Sequence, residues 1–436
     1  MQKIHLKAPN CWINDPNGFI WYKGQYHLFY QCFPYAPQWG RMHWGHAVSQ
    51  NLVNWENKGI ALYPSKTDDR SGCFSGSAIE HNGKMYIFYT GVNYIEEDPE
   101  NVNHCLNDNF ISAQLMITSE NGVTFDNASD KKTIIPPIYE KTVGSKIHTR
   151  DPKVWRGKDA WNMVIGSTVD STGRLLFYKS DDLENWCYMN YAEKENFGWM
   201  WECPDYFEVN DTGVTVFSPM GFFKDGKEYD SVPVCMFSSF DESTGKMELS
   251  DNYQLFDCGL DLYAPQSTTD KDRNRVIIAW ARMPEAVNGE WNGMMCIPRV
   301  VEVKNNHIYF RPHPNIKNSF TKEITSPSQA DSSGFMVKTS LHNGESINIG
   351  GYIIKREQDK ICTDRSAVFA GRDNFRLTAE TPVIHEGYEL EIYVDSNLIE
   401  VFVNNGEYVL SSVVYGLSDE ITGADFSLYS SERGSI

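Results

Sequence analysis

Five segments of the chain repeat the same order of polar and hydrophobic positions. Each begins with a polar or acidic residue, continues as an apolar and aromatic strand, turns at a stretch rich in Gly, Asn, Asp and Lys, and resumes as a second strand. The segments start at residues 15, 75, 151, 202 and 263. This spacing accommodates one four-stranded blade per segment, with loops of variable length. Because helical periodicity is almost lacking, the pattern predicts an all-β chain that begins with a five-bladed β-propeller, residues 1–310.

A β-sandwich or jelly roll over the same residues would also explain many strands, but not the regular return of a carboxylate at a segment start. Residues 311–333, which contain Pro312, Pro314 and Pro327, form the predicted linker. Residues 334–436 again alternate apolar and polar positions, and Asn404-Asn405-Gly406 between two strands is typical of a hairpin turn. This alternation predicts a C-terminal β-sandwich, whose expected role is structural support.

Composition excludes several classes of function. Hydrophobic residues make up 41% and charged residues 22% of the 436, which is ordinary for a globular protein. A formal net charge of −19 argues against nucleic acid or an anionic membrane as partner. The 12 Trp, 23 Tyr and 23 Phe suit a protein that binds a small sugar, although aromatic residues also suit strands in general.

Cellular location and cofactors follow from what the sequence lacks. It has no run of 18 apolar residues and no apolar leader, and its ten cysteines are scattered without a C-x-x-C pair. These features favour a cytoplasmic protein with free thiols. We expect neither a metal nor an organic cofactor, and the sequence gives no prediction of the oligomeric state.

Three acidic side chains at segment starts predict the active site. The innermost strand of each propeller blade begins beside the central axis, so Asp15, Asp151 and Glu202 should line one funnel. Carboxylates brought together in a partly dry pocket cannot all ionise easily, and at least one pKa rises. A carboxylic acid beside an ionised carboxylate most often serves glycoside hydrolysis.

The motifs that carry these residues resemble the signatures of glycoside hydrolase family 32, which includes invertases, sucrose-6-phosphate hydrolases, inulinases and levanases. The principal motifs are Trp12-Ile13-Asn14-Asp15-Pro16-Asn17-Gly18, Phe74-Ser75-Gly76-Ser77, Arg150-Asp151-Pro152 and Trp201-Glu202-Cys203-Pro204. The resemblance spans nearly the whole chain. It implies a five-bladed propeller with a β-sandwich, and a retaining mechanism on a β-fructofuranoside.

By this resemblance, Asp15 is the nucleophile, Glu202 is the acid and base, and Asp151 with Arg150 holds fructose hydroxyls. The predicted substrate-binding residues are Asn14, Gln31, Trp39, Phe74, Ser75, Arg150, Tyr263 and Trp280. Core packing would also explain Tyr263 and Trp280, and an ion pair with Arg150 would also explain Asp151. Cys203 either tunes Glu202 or is a small buried residue.

The expected substrate is sucrose or a short fructooligosaccharide, with sucrose 6-phosphate as the alternative. A phosphate would need basic groups near the leaving group, for which Arg41, Lys146 and His148 are the candidates. The negative net charge and the acidic loop 93–109 argue against it. A non-catalytic sugar-binding protein fits the sequence less well, since all three acids are present. A fructosyltransferase is a nearer alternative, because it would share the same covalent intermediate and differ only in whether sugar or water reaches it.

Overall fold

The computed structural model describes residues 4–223, 225–330 and 334–431. In these ranges nearly all regular structure is β, in five blade-like sheets followed by two further sheets. The chain therefore folds as a five-bladed β-propeller followed by a β-sandwich, and the predicted fold class is confirmed. Within the described ranges, no helix is both long and apolar enough to span a membrane.

Each blade is an antiparallel sheet whose four main strands lie side by side in chain order. Blade 1 contains β1 Trp12–Tyr22, β2 Gln25–Phe33, β3 His43–Ser49 and β4 Glu56–Leu62. Blade 2 contains β5 Gly72–His81, β6 Lys84–Tyr94, β7 Phe110–Ser119 and β8 Lys132–Ile135. Blade 3 contains β9 Arg150–Arg156, β10 Trp161–Val169, β11 Thr172–Ser180 and β12 Cys187–Glu193.

The last two blades each carry one additional short strand. Blade 4 contains β13 Met200–Val209, β14 Thr212–Met220, β15 Val234–Asp241, β16 Lys246–Leu249 and the short β17 Gln254–Leu255. Blade 5 contains β18 Leu262–Thr269, β19 Arg275–Ala281, the short β20 Met294–Met295, β21 Arg299–Lys304 and β22 His307–Pro312.

The first strands of the five blades contact one another in order, and β18 returns to β1, so the blades close into a ring. The N-terminal segment completes this closure by pairing with the last blade. The amide of Ala8 donates to the carbonyl of Gly293, and the amide of Met295 donates to the carbonyl of Leu6. All five segment starts therefore meet around one axis.

A β-bulge interrupts the first strand of every blade at the predicted segment start. Proline follows the bulge residue in four blades and glycine in the other, and proline cannot donate to the neighbouring strand. Asp151, Cys203 and Ala264 occupy equivalent positions in three blades with left-handed φ angles of 69°, 47° and 51°. A bulge of this kind redirects side chains, and in the third blade the redirected carboxylate of Asp151 lines the central cavity.

Two residues beyond Asp151 and Cys203, a buried ion pair links β9 to β13. The Nζ of Lys153 lies 2.9 Å from Oδ2 of Asp205 and donates to the carbonyl of Ser267 at 2.6 Å. The same Asp205 oxygen accepts the amide of Ser267 at 2.7 Å. These contacts tie the third, fourth and fifth blades together directly behind the bulges.

The sandwich packs one six-stranded sheet against one five-stranded sheet. The larger sheet has the order β23 Phe320–Ile324, β33 Phe426–Ser431, β24 Phe335–Ser340, β29 Glu389–Val394, β30 Leu398–Val403 and β31 Tyr408–Val413. The smaller has the order β28 Thr378–Glu380, β27 Lys360–Asp364, β26 Tyr352–Glu357, β25 Ser346–Ile349 and β32 Ile421–Gly423.

The stretch 311–333 differs from the predicted linker. It holds the short helix α1 Pro314–Lys317, and its strand β23 pairs with β33 in the larger sheet. Prolines at 312, 314 and 327 suggested an irregular connection, but they flank the strand rather than interrupt it. Residues 331–333 lie outside the described ranges, and the domain boundaries themselves stay a prediction.

Buried charges join the propeller to the sandwich. Oε2 of Glu400 on β30 lies 2.6 Å from Nη2 of Arg299 on β21, and Arg299 also contacts Asp257 at 2.9 Å. Oε1 of Glu400 lies 2.9 Å from Nε2 of His5 and accepts the amide of Ile297 at 2.7 Å. The two parts of the chain therefore share one hydrogen-bonded polar network as well as an apolar interface.

Candidate active site

The three predicted carboxylates line one cavity of about 490 Å³ at the axis of the propeller. They arrive there on β1, β9 and β13, three of the five strands that surround the axis of the ring. The other residues that line the cavity are Asn14, Gln31, Trp39, Phe74, Tyr94, His104, Cys105, Asp108, Phe110, His148, Arg150, Trp199, Met220, Tyr263 and Trp280. This volume suits a small ligand such as a mono- or disaccharide.

Asp15 is held by donors on both carboxylate oxygens. Oδ2 accepts the hydroxyl of Ser75 at 2.6 Å and the amide of Gln31 at 3.3 Å, and Oδ1 accepts the amide of Asn14 at 3.2 Å. Burial raises the pKa of Asp15, the hydrogen bond from Ser75 opposes that rise, and the charge of Glu202 adds to it. These bonds fix one carboxylate orientation, which is what a nucleophile needs.

Asp151 lies beside Asp15, and the thiol of Cys203 lies between them. Sγ of Cys203 is 3.5 Å from Oδ2 of Asp15 and 3.5 Å from Oδ2 of Asp151, and the backbone amide of Cys203 donates to Asp151 at 2.9 Å. Burial raises the pKa of the Cys203 thiol well above its ordinary value, and the neighbouring carboxylates add to the rise. The thiol therefore stays protonated and acts as a donor.

The pKa of Asp151 is raised to about 7. Burial is the main cause, the guanidinium of Arg150 opposes it, and the charges of Glu202 and Asp15 add to it. Three carboxylates thus share a site that has one guanidinium to balance them. This arrangement is expected to separate the pKa values of the carboxyl groups, so that one can act as an acid while another is ionised.

Glu202 is oriented by two side chains, each of which donates to a different oxygen of its carboxylate. Its Oε1 accepts Nε and Nη2 of Arg150 at 3.0 and 2.8 Å, and its Oε2 accepts the hydroxyl of Tyr263 at 2.5 Å. Burial disfavours the charge on Arg150, but the carboxylates of Glu202 and Asp151 outweigh it and raise the pKa of Arg150. Arg150 therefore stays charged and holds Glu202 in place.

Aromatic rings form the apolar walls of the cavity. The ring of Trp39 lies edge-on to Phe74 at 6.4 Å between centroids and 5.2 Å from the ring of His104. On another side Trp280 lies edge-on to Tyr263 at 6.5 Å. Such rings offer flat apolar faces to the carbon face of a sugar.

Ten of the eleven predicted site residues line the cavity. The remaining one, Ser75, is buried and donates to Asp15, so it supports this carboxylate instead of forming a wall. Of the three phosphate candidates, only His148 is among the cavity-lining residues. Arg41 instead binds Glu97 and the carbonyl of Val102 in the loop 93–109, and Lys146 is exposed outside the cavity.

The loop 93–109 forms part of the cavity, but through residues that were not singled out in the sequence. His104, Cys105 and Asp108 line the cavity, whereas the acidic residues 96–98 and 100 do not. Tyr94, Phe110 and Met220 were also missed. Their positions depend on how loops fold over the blade ends, and no local sequence signal indicates this.

The fold and the site together define a glycoside hydrolase, because three carboxylates converge on one sugar-sized cavity. Within the described residues, no group of three or more His, Cys, Asp or Glu side chains is arranged to hold a metal ion. The cavity offers three carboxylates, with a guanidinium, a phenol and a thiol around them.

Comparison with known proteins identifies the family. Residues 5–312 match the model of the glycosyl hydrolases family 32 N-terminal domain, and residues 300–435 match the glycosyl hydrolases family 32 C terminal model. The chain belongs to glycoside hydrolase family 32, as its motifs suggested.

Two relatives that are named for different substrates have the same sequence identity to this chain. A sucrose-6-phosphate hydrolase of Escherichia coli is 31% identical over 98% of this chain and 91% of the relative. A raffinose invertase of Escherichia coli is also 31% identical, over 99% and 92%. The structure of a β-fructofuranosidase of Bombyx mori is 28% identical with a TM-score of 0.83, covering 98% of this chain and 93% of that one.

Proposed function

We propose that this enzyme is a retaining β-fructofuranosidase that hydrolyses sucrose or short fructooligosaccharides at the terminal fructose. The observation that carries the proposal is the convergence of Asp15, Asp151 and Glu202 on one cavity, with separate sets of donors around Asp15 and Glu202. The names of the relatives support the substrate class, since each is named for a fructose-containing sugar or for β-fructofuranosidase activity.

In the first step, a carboxylate oxygen of Asp15 attacks C2 of fructose while Glu202 gives its proton to the leaving oxygen. The C2–O bond to the leaving sugar breaks, and a fructosyl ester on Asp15 forms. Hydrogen bonds from Ser75, Gln31 and Asn14 keep Asp15 directed at the reacting carbon. The ester retains C2 and the rest of the fructose unit, so glucose leaves first when sucrose is the substrate.

In the second step, Glu202 takes a proton from water, and the oxygen of this water attacks C2 and displaces Asp15. Fructose leaves with its original anomeric configuration, and Glu202 is again protonated. Arg150 and Tyr263 keep Glu202 on the side of the leaving oxygen through both steps. Asp151 accepts hydrogen bonds from fructose hydroxyls and, when ionised, stabilises the positive charge that develops at the ring in each transition state.

Sucrose-6-phosphate hydrolysis remains the second candidate, because a relative of 31% identity carries that name. A cytoplasmic location is part of the proposal and rests on the cysteines, all ten of which are free thiols.

For a fructosyltransferase, sugar in place of water would reach the same ester. Glucose and fructose released from concentrated sucrose in equal amounts mean hydrolysis, and an excess of glucose means transfer.

The test of the proposal is turnover of sucrose by Asp15→Asn and Glu202→Gln. Each variant should lose several orders of magnitude in kcat, since general acid and base assistance alone contributes about 10² to 10⁴. Glu100→Gln is the matched control, because it removes an exposed carboxylate of the loop 93–109 and should leave kcat unchanged. Circular dichroism checks the fold. A variant at Asp15 or Glu202 with near-normal turnover would reject the assignment.

A further inference from the structure

The cavity wall beyond the proposed acid is where a leaving sugar would lie. Nη1 of Arg150, which holds Glu202, lies 3.2 Å from Nδ1 of His148. The ring of His148 is edge-on to Trp199 at 5.1 Å and to Phe110 at 5.7 Å. Because Glu202 protonates the leaving oxygen, the sugar attached to this oxygen meets the wall formed by these three rings. This placement rests on the proposed function.

The groups on this side of the cavity offer little positive charge to a ligand. Arg150 is the one Arg or Lys among the described cavity-lining residues, and two of its nitrogens are already bonded to Glu202. Burial and the charge of Arg150 lower the pKa of His148 to about 4, so His148 is neutral near pH 7.

One carboxylate, that of Asp108, adds negative charge to the same wall. Asp108 lines the cavity and is close enough to His148 that its charge partly opposes the lowering of the pKa of His148. Asn107 and Asp108 both have left-handed φ angles, 52° and 51°, in the 3₁₀ turn Leu106–Asp108. Two successive non-glycine residues with such angles are costly and persist where the surrounding structure holds them.

Arg41, which its charge makes a phosphate candidate in the sequence, holds the loop that carries Asp108. Nη2 of Arg41 lies 2.8 Å from Oε1 of Glu97, and its Nε donates to the carbonyl of Val102 at 2.8 Å. The hydroxyl of Tyr94 donates to the carbonyl of Asn103 at 3.0 Å. Arg41 is therefore engaged in fixing this loop and is not among the residues that line the cavity.

We propose that Asp108 is a specificity-determining residue that makes the enzyme select fructosides with a neutral leaving sugar over those with a phosphorylated one. Sucrose 6-phosphate carries its phosphate on glucose, the leaving sugar. Its dianion would enter a wall that has a carboxylate and no unpaired guanidinium or ammonium group among the described lining residues. Like charges in one cavity repel, and this cost falls on the phosphorylated substrate alone.

The test compares kcat/KM for sucrose and sucrose 6-phosphate in the full-length enzyme and in Asp108→Asn. The wild type should prefer sucrose. Asp108→Asn removes the repulsion and should raise the ratio of kcat/KM for sucrose 6-phosphate to that for sucrose. The expected gain is limited to about tenfold, because Asp108 is exposed to solvent that weakens the repulsion. The gain should shrink at high salt. The control Glu100→Gln removes an equal charge from the same loop, away from the cavity, and should leave the ratio unchanged.

The outcomes separate this inference from the function on which it rests. If neither sugar is hydrolysed, the proposed function fails and the inference with it. If both are hydrolysed but Asp108→Asn leaves the ratio unchanged, or Glu100→Gln changes it equally, the function stands and the role of Asp108 is wrong. A wild type that prefers sucrose 6-phosphate would also overturn the inference.

Discussion

Replacing Asp151 by asparagine should stabilise the protein while it removes activity. Asn keeps the size of the side chain. It also keeps an oxygen that can accept the backbone amide of Cys203, which lies 2.9 Å from Oδ2 of Asp151 in the wild type. It removes a charge that is buried near two other carboxylates, those of Asp15 and Glu202. The activity should fall because Asn cannot provide the negative charge that stabilises the fructosyl transition state.

The size of the stabilisation follows from the pKa of Asp151, which folding raises from its ordinary value of 3.8 to about 7. The folded protein therefore binds this proton more tightly than the unfolded chain. Stability from this group is complete below pH 3.8 and is lost as the pH rises through 7. Well above pH 7 the loss reaches about 4 kcal/mol, at 1.36 kcal/mol for each pKa step, and Asn avoids it.

Differential scanning calorimetry of both proteins from pH 4 to pH 8 measures the effect. For an unfolding unit as large as the propeller, about 4 kcal/mol corresponds to a Tm rise of roughly 6 °C at pH 8. The difference should shrink steadily towards pH 4. Glu100→Gln, which removes an exposed carboxylate, should show no such pH-dependent gain. An unchanged or lower Tm for Asp151→Asn at pH 8 would refute the reasoning.

Two further predictions concern Glu202 and the contact between propeller and sandwich. Tyr263→Phe removes the hydroxyl that lies 2.5 Å from Oε2 of Glu202. It should lower kcat/KM on sucrose about tenfold to a hundredfold, since a hydrogen bond to a charged group contributes about 1.5–3 kcal/mol. Normal kinetics would show that this bond does not position Glu202. Glu400→Leu leaves the buried Arg299 with one carboxylate fewer and should cost about 3–5 kcal/mol in urea unfolding. A loss below about 1 kcal/mol would mean that the network rearranges without it.

The segment starts could be predicted from the sequence because proline and glycine mark them. Asp15 and Asp151 are each followed by proline in a β-bulge, and their convergence follows from the ring of blades. Glu202 lies one position earlier than its counterparts, since Cys203 occupies the bulge position equivalent to Asp151. The sequence alone did not reveal that the thiol would contact both other acids.

The loops over the blade ends could not be predicted in the same way. Arg41 was a reasonable phosphate ligand by charge, but its contacts with Glu97 and Val102 join segments that are more than 50 residues apart. Likewise, the placement of Asp108 in the cavity depends on two left-handed residues that no glycine or proline announces. Contacts between segments that are far apart in the sequence determine where these loop residues lie. The composition of the loop shows only that it is acidic.

In the proposed mechanism Asp15 forms a covalent ester with fructose. Treating Glu202→Ala with 4-nitrophenyl β-D-fructofuranoside should trap this ester, because this leaving group needs no proton and the second step lacks its base. Mass spectrometry should show a protein that is heavier by one anhydrofructose unit, with the added mass on the peptide that contains Asp15. Release of 4-nitrophenol without an adduct, or an adduct on another residue, would show that Asp15 is not the nucleophile that forms a stable ester.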